Sequence, residues 1–387
     1  MEQLLAQLGK QWYLLLALVG VAALLLLNGA AYVHVMRPRS GTLEWISRYD
    51  RPACTLLDGW TALTIGDIVP MLSVTLGAAA VWGAAALVTA RSLYGSPVPG
   101  DVLAEMAVTH MVFPALTALA FYRLLRGLFG SRLGALLGTW ILTMSMAVQP
   151  SPMLVAALAA LLLTRYLTAP AQSAFGEYSL YLILAFAMAA VGCYLRPGLA
   201  GVALTMFVLL CCGAADRFVH AGRGRLVRSL LAGLLSLAVV WILTYVPGGV
   251  AQGLPFPQLL VLRDFYEYAL HRMGWELLNG LGSGVSPIVQ FYFDWPLVIC
   301  GTAAFVVCLV GGFRRPKAPA LLAAGWMAAL TVLWLLGGLY LVPLGCALCL
   351  SSLWADLSQR GQPWLAVVAG GSILLVQLTL YGFYWLT

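Results

Sequence analysis

A chain that repeats apolar runs of about 20 residues between short charged connections has lipid as the solvent for most of its surface. Of its 387 residues, 62% are hydrophobic and 9% are charged. No water-soluble domain could hide that much apolar surface. The clearest spans are 12–36, 68–90, 104–124, 179–195, 198–214, 229–247, 295–313, 319–336, 338–354 and 364–387. The stretch 133–167 is too long for one crossing, and Gln149-Pro150-Ser151-Pro152 breaks it into two short helices. A hydrocarbon slab about 30 Å thick takes about 20 helical residues, which gives about 12 crossings in all. Helices are the expected form, because lipid offers no partner to an open sheet edge. The apolar run of the first span is too long for a cleaved signal peptide. The expectation is an all-α polytopic membrane protein, a single transmembrane domain over 1–387 with no separate soluble domain.

The net charge of +7 does not point to nucleic acid, because the basic residues lie in short loops between spans. Strict alternation puts Arg37, Arg39, Arg48, Arg51, Arg123, Arg126, Arg132, Arg165, Arg217, Arg223, Arg225, Arg228, Arg314, Arg315, Lys317 and Arg360 on one side, 16 of the 21 Lys and Arg residues. Lys10, Arg91, Arg196, Arg263 and Arg272 fall on the other. The bias assigns the first side to the cytoplasm, with both termini and the long loop 248–294 outside. A re-entrant pair at 133–167 is expected to flip everything before it, placing 37–67 outside instead.

Loop 248–294 carries Leu259–Leu262, Phe265, Tyr266, Tyr268, Trp275 and Leu277-Leu278, a pattern for amphipathic helices lying on the outer membrane surface. Phe291-Tyr292-Phe293 and Trp295 fit an aromatic belt at the start of the next span. A structural interface helix explains this loop as readily as a binding role.

Ionisable groups at membrane boundaries are costly and are therefore candidates for function. Asp101 and Glu105 stand four apart at a helix start, on one face, with His110 further along. They read as a general base and its support, or as a cap with dipole compensation. Asp67, before a Pro-containing span, is the rival and also reads as a cap. Arg196-Pro197-Gly198 sits between two spans with almost no loop, where an arginine meets a phosphate or anchors a helix end. Arg263, His271 and Arg272 lie beside Tyr266 and Tyr268, a basic and aromatic surface suited to a lipid-linked phosphate or to anionic lipid. The eight cysteines read as core residues, with neither zinc nor disulfides expected. There is no Walker A loop, no row of intramembrane acids and histidines, and no clear internal repeat, which weighs against the common transporter classes.

Four short stretches together resemble the GT-C superfamily of polytopic glycosyltransferases, and within it the bacterial protein O-mannosyltransferase-like group. They are Tyr122-Arg123-Leu124-Leu125-Arg126-Gly127-Leu128-Phe129-Gly130 with Arg132, the paired short helices around Gln149–Pro152, Leu195-Arg196-Pro197-Gly198-Leu199, and Ser286-Pro287 followed by Phe291–Pro296. The resemblance implies a GT-C-like bundle of about 11–12 transmembrane helices by the span-length rule, with amphipathic helices in an external loop. It implies transfer of a sugar from a polyprenyl-phosphate-linked donor to a protein or glycan acceptor on the extracytoplasmic face of a bacterial plasma membrane. In the family a loop acid deprotonates the acceptor hydroxyl and basic groups hold the carrier phosphate. The acidic pair usual in the family's first external loop has no adjacent Asp-Glu counterpart here, and Asp101 with Glu105 is the nearest match. The expected catalytic residues are therefore Asp101 and Glu105, with Arg196, Arg263, His271 and Arg272 holding the donor phosphate. A divalent metal, magnesium or manganese, is the one cofactor the acid pair brings into question. The alternatives are an inactive GT-C-like scaffold and a lipid-linked glycan flippase or transporter.

Overall fold

A computed structural model describes residues 65–95, 97–145, 150–167, 175–195, 199–221, 287–314, 318–335 and 340–386, together with 26, 28, 227, 231–236 and 238. The helices are α1 (Ile65–Tyr94), α2 (Gly100–Ala107), α3 (Phe113–Phe129), α4 (Arg132–Thr143), α5 (Pro150–Leu167), α6 (Phe175–Leu195), α7 (Ala200–Ala221), α8 (Pro287–Arg314), α9 (Ala318–Leu335), α10 (Val342–Gln359) and α11 (Pro363–Leu386). A π-helical turn at Val108–Val112 joins α2 to α3 without a break in the helical backbone. Among the described residues there is no strand. The expected spans 12–36 and 229–247 and the external loop up to residue 286 lie wholly or largely outside the described residues.

Among the described residues, four segments are long and apolar enough to cross a membrane: Gly66–Val88, Gly100–Phe129, Asp294–Gly311 and Pro363–Leu380. Shorter apolar segments occur at Pro152–Leu167, Leu180–Gly192, Gly201–Cys211 and Pro319–Trp334. Large aliphatic side chains stand exposed along outward faces, as at Leu72 and Leu76 of α1, Leu180, Ile183 and Leu184 of α6, and Val306, Val307 and Val310 of α8. This is the surface a bilayer covers. The break expected around Gln149–Pro152 is present, with Pro150 opening α5. The count of crossings needs correction there. At a rise of 1.5 Å per residue, the 12 residues of α4 span about 18 Å, too short for a hydrocarbon layer of about 30 Å.

α4 is an inner helix, with every residue from Leu133 to Thr143 buried. α10 is its partner, buried from Val342 to Ser351. Glycines set their separation. A Cβ on Gly134 would sit 2.9 Å from the Ser351 carbonyl oxygen, and one on Gly138 would overlap Ser351 Oγ. A small-xxx-small pattern of this kind lets two membrane helices approach backbone to backbone. The same closeness recurs at Gly345, where a Cβ would lie 2.6 Å from Met327 Cα of α9.

Contacts along the bundle fix which helix ends lie together. α4 begins beside Asp67 of α1 and ends at Ser145, which bonds Asp294 of α8. α5 returns to the starting end, where Arg165 interacts electrostatically with Arg123. The α4–α5 pair thus enters and leaves at one end. Counted as two crossings or as none, it leaves its flanking segments on the same side, so the flip expected of a re-entrant pair does not arise. By helix direction, Arg123, Arg126, Arg132, Arg165, Arg217, Arg314 and Arg360 all belong to the end where α4 starts. Only Arg91 belongs to the opposite end among the described residues.

Candidate functional site

At the arginine-rich end, two residues make the α3–α4 corner. Gly130 closes α3 in the left-handed region at φ 67°, and its N–H donates to the Arg126 carbonyl. Ser131 caps α4 by accepting from the Gly134 N–H at 3.1 Å. This tight turn brings Arg126 and Arg132 to one point. Both donate through Nε to a single oxygen, Asp67 Oδ1, at 3.0 and 2.9 Å. Arg126 also donates to the Gly130 carbonyl. Asp67 is only 1% exposed, and the arginine side chains are 10% and 15% exposed. Gly66 leaves the room this needs, because a Cβ there would lie 2.6–2.8 Å from the Arg132 guanidinium. The Tyr122 hydroxyl is buried beside the same carboxylate. Arg165 reaches Tyr181, lying 5.3 Å over its ring and donating to its hydroxyl at 3.2 Å. Asp67 goes beyond the capping role the sequence points to: it ties α1 to the α3–α4 corner. A carboxylate oxygen already holding two guanidinia serves as a clamp rather than as a base.

The opposite end holds a different carboxylate. Asp294, in the second turn of α8, is 1% exposed. Ser145, just past the C-terminus of α4, donates to Asp294 Oδ2 at 2.7 Å. Tyr340, just before α10, is buried with its hydroxyl against the Asp294 carboxylate. Trp334 braces the Tyr340 ring edge-on at a centroid distance of 5.1 Å. Trp82 of α1 donates to the Thr143 carbonyl at 3.0 Å, which fixes the depth of this cluster. α1 runs another 12 residues beyond Trp82, about 18 Å of helix. The inner helices therefore stop well short of the end of α1, and the acid stands at the step. Asp294 lies seven residues into α8, about 10 Å from that helix's start.

Among the described residues, no polar path joins the two clusters along α4. Thr139 and Thr143 spend their hydroxyls on the Ala135 and Thr139 carbonyls, and Leu136, Leu137, Trp140 and Ile141 fill the space between.

Asp101 and Glu105 lie together in α2, both exposed, at the same end as Asp294. The N-cap position is Pro99, so Asp101 acts on the helix dipole from the first turn rather than as the cap. The Glu105 carbonyl accepts from Thr109, whose hydroxyl is also 2.6 Å from His110 Nδ1. A Cβ on Gly83, beside Trp82, would meet Met111, which sets the π-helical turn level with the step. Asp101 is 10 residues above Met111, about 15 Å by helical rise. Asp101 and Glu105 thus form a rim, apart from Asp294. Arg196, Arg263, His271 and Arg272 lie outside the described residues. Among the described residues no three metal-ligating side chains converge, so Asp101 and Glu105 supply at most a two-carboxylate contact to a divalent ion. The sequence identifies Asp294 only as one acid among several at boundaries. Its partners Ser145 and Tyr340 are 149 and 46 residues away in the chain, beyond any local motif.

Compared with known proteins, the chain matches no family model, no curated protein and no solved structure.

Proposed function

We propose that this chain is a membrane glycosyltransferase that moves a sugar from a polyprenyl-phosphate-linked donor to a hydroxyl acceptor at the extracytoplasmic face. The observation that carries the reading is the step at one end of the bundle, where two inner helices stop short and a buried carboxylate stands among hydroxyl groups. Arginines favour the opposite end, seven against one among the described residues, and the positive-inside bias makes that end cytoplasmic. The acids Asp101, Glu105 and Asp294 then face outward together. In the sequence Arg196 directly follows α6, and Arg263, His271 and Arg272 precede α8. These are the groups proposed to hold the carrier phosphate, by charge-assisted hydrogen bonds of the kind arginine makes best.

The apolar interior of α4 supports chemistry at one face over passage through the bundle, since a transported glycan needs polar partners along its path. The Asp67 clamp closes the arginine-rich end of that helix.

The test is turnover by the full chain in proteoliposomes containing a panel of polyprenyl-phosphate-linked hexoses, followed as release of the polyprenyl phosphate. The proposal expects release with at least one donor, in vesicles where the Asp294 end faces the donor's sugar. Silence across the panel would refute it.

A further inference from the structure

We propose that Arg123 and Arg165 hold the phosphate of an anionic phospholipid in the leaflet at the arginine-rich end, with its acyl chains lying along the exposed face of α6. The site is at the opposite end from Asp294 and does not depend on the transferase reading. Charge is the first support. Among the described residues, the helices bring seven arginines to this end against four acids, Asp67, Glu177, Asp216 and Asp356. Asp67 already receives Arg126 and Arg132 on a single oxygen. The second support is the pairing of like charges. Arg123 of α3 and Arg165 of the neighbouring α5 lie close enough to repel, and for Arg123 that repulsion outweighs the attraction of Asp67. Two guanidinia held together by separate helices gain from an anion between them. Position is the third. Both arginines are partly exposed, and Arg165 is two residues from the end of α5. It donates to the Tyr181 hydroxyl at 3.2 Å and lies over that ring. Tyr181 borders Leu180, Ile183 and Leu184, three exposed aliphatic residues on one face of α6. A tyrosine between a cation and an aliphatic face marks the level where headgroups meet acyl chains.

The chemistry of the site selects its ligand. A phosphodiester carries one negative charge and accepts charge-assisted hydrogen bonds from both guanidinia, whose planar forks match its oxygens. Basic pockets between membrane helices at the cytoplasmic boundary take anionic headgroups in this way. A phosphatidylcholine presents the same phosphate, but its quaternary ammonium falls among arginines and is repelled. Inorganic phosphate has the charge without the chains, so it gains nothing from the apolar face of α6. The ligand that uses both halves of the site is a lipid with net negative charge.

The experiment titrates the full chain, purified in a non-ionic detergent, with phosphatidylglycerol, with phosphatidylcholine of the same acyl chains, and with inorganic phosphate. Bound lipid is read by native mass spectrometry and stabilisation by the melting temperature. Phosphatidylglycerol is expected to bind and to raise the melting temperature, whereas the other two do neither at the same concentration. Each arginine beside an anionic headgroup contributes about fivefold in affinity. Arg165→Gln is therefore expected to weaken phosphatidylglycerol binding about fivefold, and Arg123→Gln with Arg165→Gln about 25-fold. Arg91→Gln, at the other end of the bundle, is expected to bind as wild type does. If the double variant fails to fold, Arg165→Gln alone decides by the same readouts. Binding undiminished in the folded arginine variants overturns the proposal, as does phosphatidylglycerol binding no tighter than phosphatidylcholine. Inorganic phosphate binding as tightly as phosphatidylglycerol would assign the arginines to a soluble anion and overturn the lipid site.

Discussion

Replacing Asp67 by asparagine keeps the side chain's shape and removes its charge, which isolates the electrostatic part of the clamp. The carboxylate receives two Nε–H bonds on one oxygen, at 3.0 and 2.9 Å, and is 1% exposed. Hydrogen bonds to charged groups contribute about 1.5–3 kcal/mol each, against about 0.5–1.5 for neutral ones. Two such bonds weakened together give an expected loss of about 2–3 kcal/mol for Asp67→Asn. Asp67→Ala leaves the guanidinia without their anion and is expected to cost about 3–5 kcal/mol, the range for breaking a buried ion pair. The assay is reversible unfolding of the full chain in mixed micelles, followed by tryptophan fluorescence. Raising the salt is expected to leave the Asp67→Asn difference nearly unchanged, because a buried pair is screened little. A triple variant, Asp67→Leu with Arg126→Met and Arg132→Met, is expected to recover most of the Asp67→Ala loss, since the ion pairs are then exchanged for apolar contacts. An Asp67→Asn protein within about 0.5 kcal/mol of wild type, the spread of ordinary surface substitutions, would refute the clamp.

Gly66→Ala places a methyl 2.6–2.8 Å from the Arg132 guanidinium and must shift it off Asp67, so a loss of about 1–2 kcal/mol is expected in the same unfolding assay. Gly138→Ala is expected to cost about 1–3 kcal/mol by pushing α10 from α4, and Ser351→Gly is expected to return part of it in a double-mutant cycle. Tyr340→Phe removes a buried hydroxyl that lies against the Asp294 carboxylate, so a loss of about 1–3 kcal/mol is expected in the same assay.

The sequence made the membrane class and most helix positions legible, because periods of about 20 apolar residues have no other soluble or insoluble solution. It also marked the proline break before α5. It did not make the partners legible. Asp67 reads as a cap because a capping signal is local, whereas its engagement by Arg126 and Arg132 depends on contacts across 59 and 65 residues. The depth of α4 was equally hidden, since its 12 residues look like half of a longer apolar run until its buried surroundings are seen. Asp101 and Glu105 stood out because i, i+4 spacing is visible in a string. Asp294 stood out less because Ser145 and Tyr340, which give it chemical meaning, come from two other helix ends.

The orientation of the bundle decides whether the acid-bearing step faces the outside of the cell. Gly100 opens α2 at the Asp294 end, where an added Cβ meets nothing within 4 Å. Gln362 lies between α10 and α11 at the Asp67 end, and both residues are exposed. Gly100→Cys and Gln362→Cys variants in intact spheroplasts, treated with a membrane-impermeant maleimide against the wild-type cysteine background, report the two ends separately. Labelling of Gly100→Cys alone, with Gln362→Cys reacting only after the membrane is opened, is the predicted result. Labelling of Gln362→Cys in sealed spheroplasts would put the acid-bearing step in the cytoplasm and contradict transfer at the outer face.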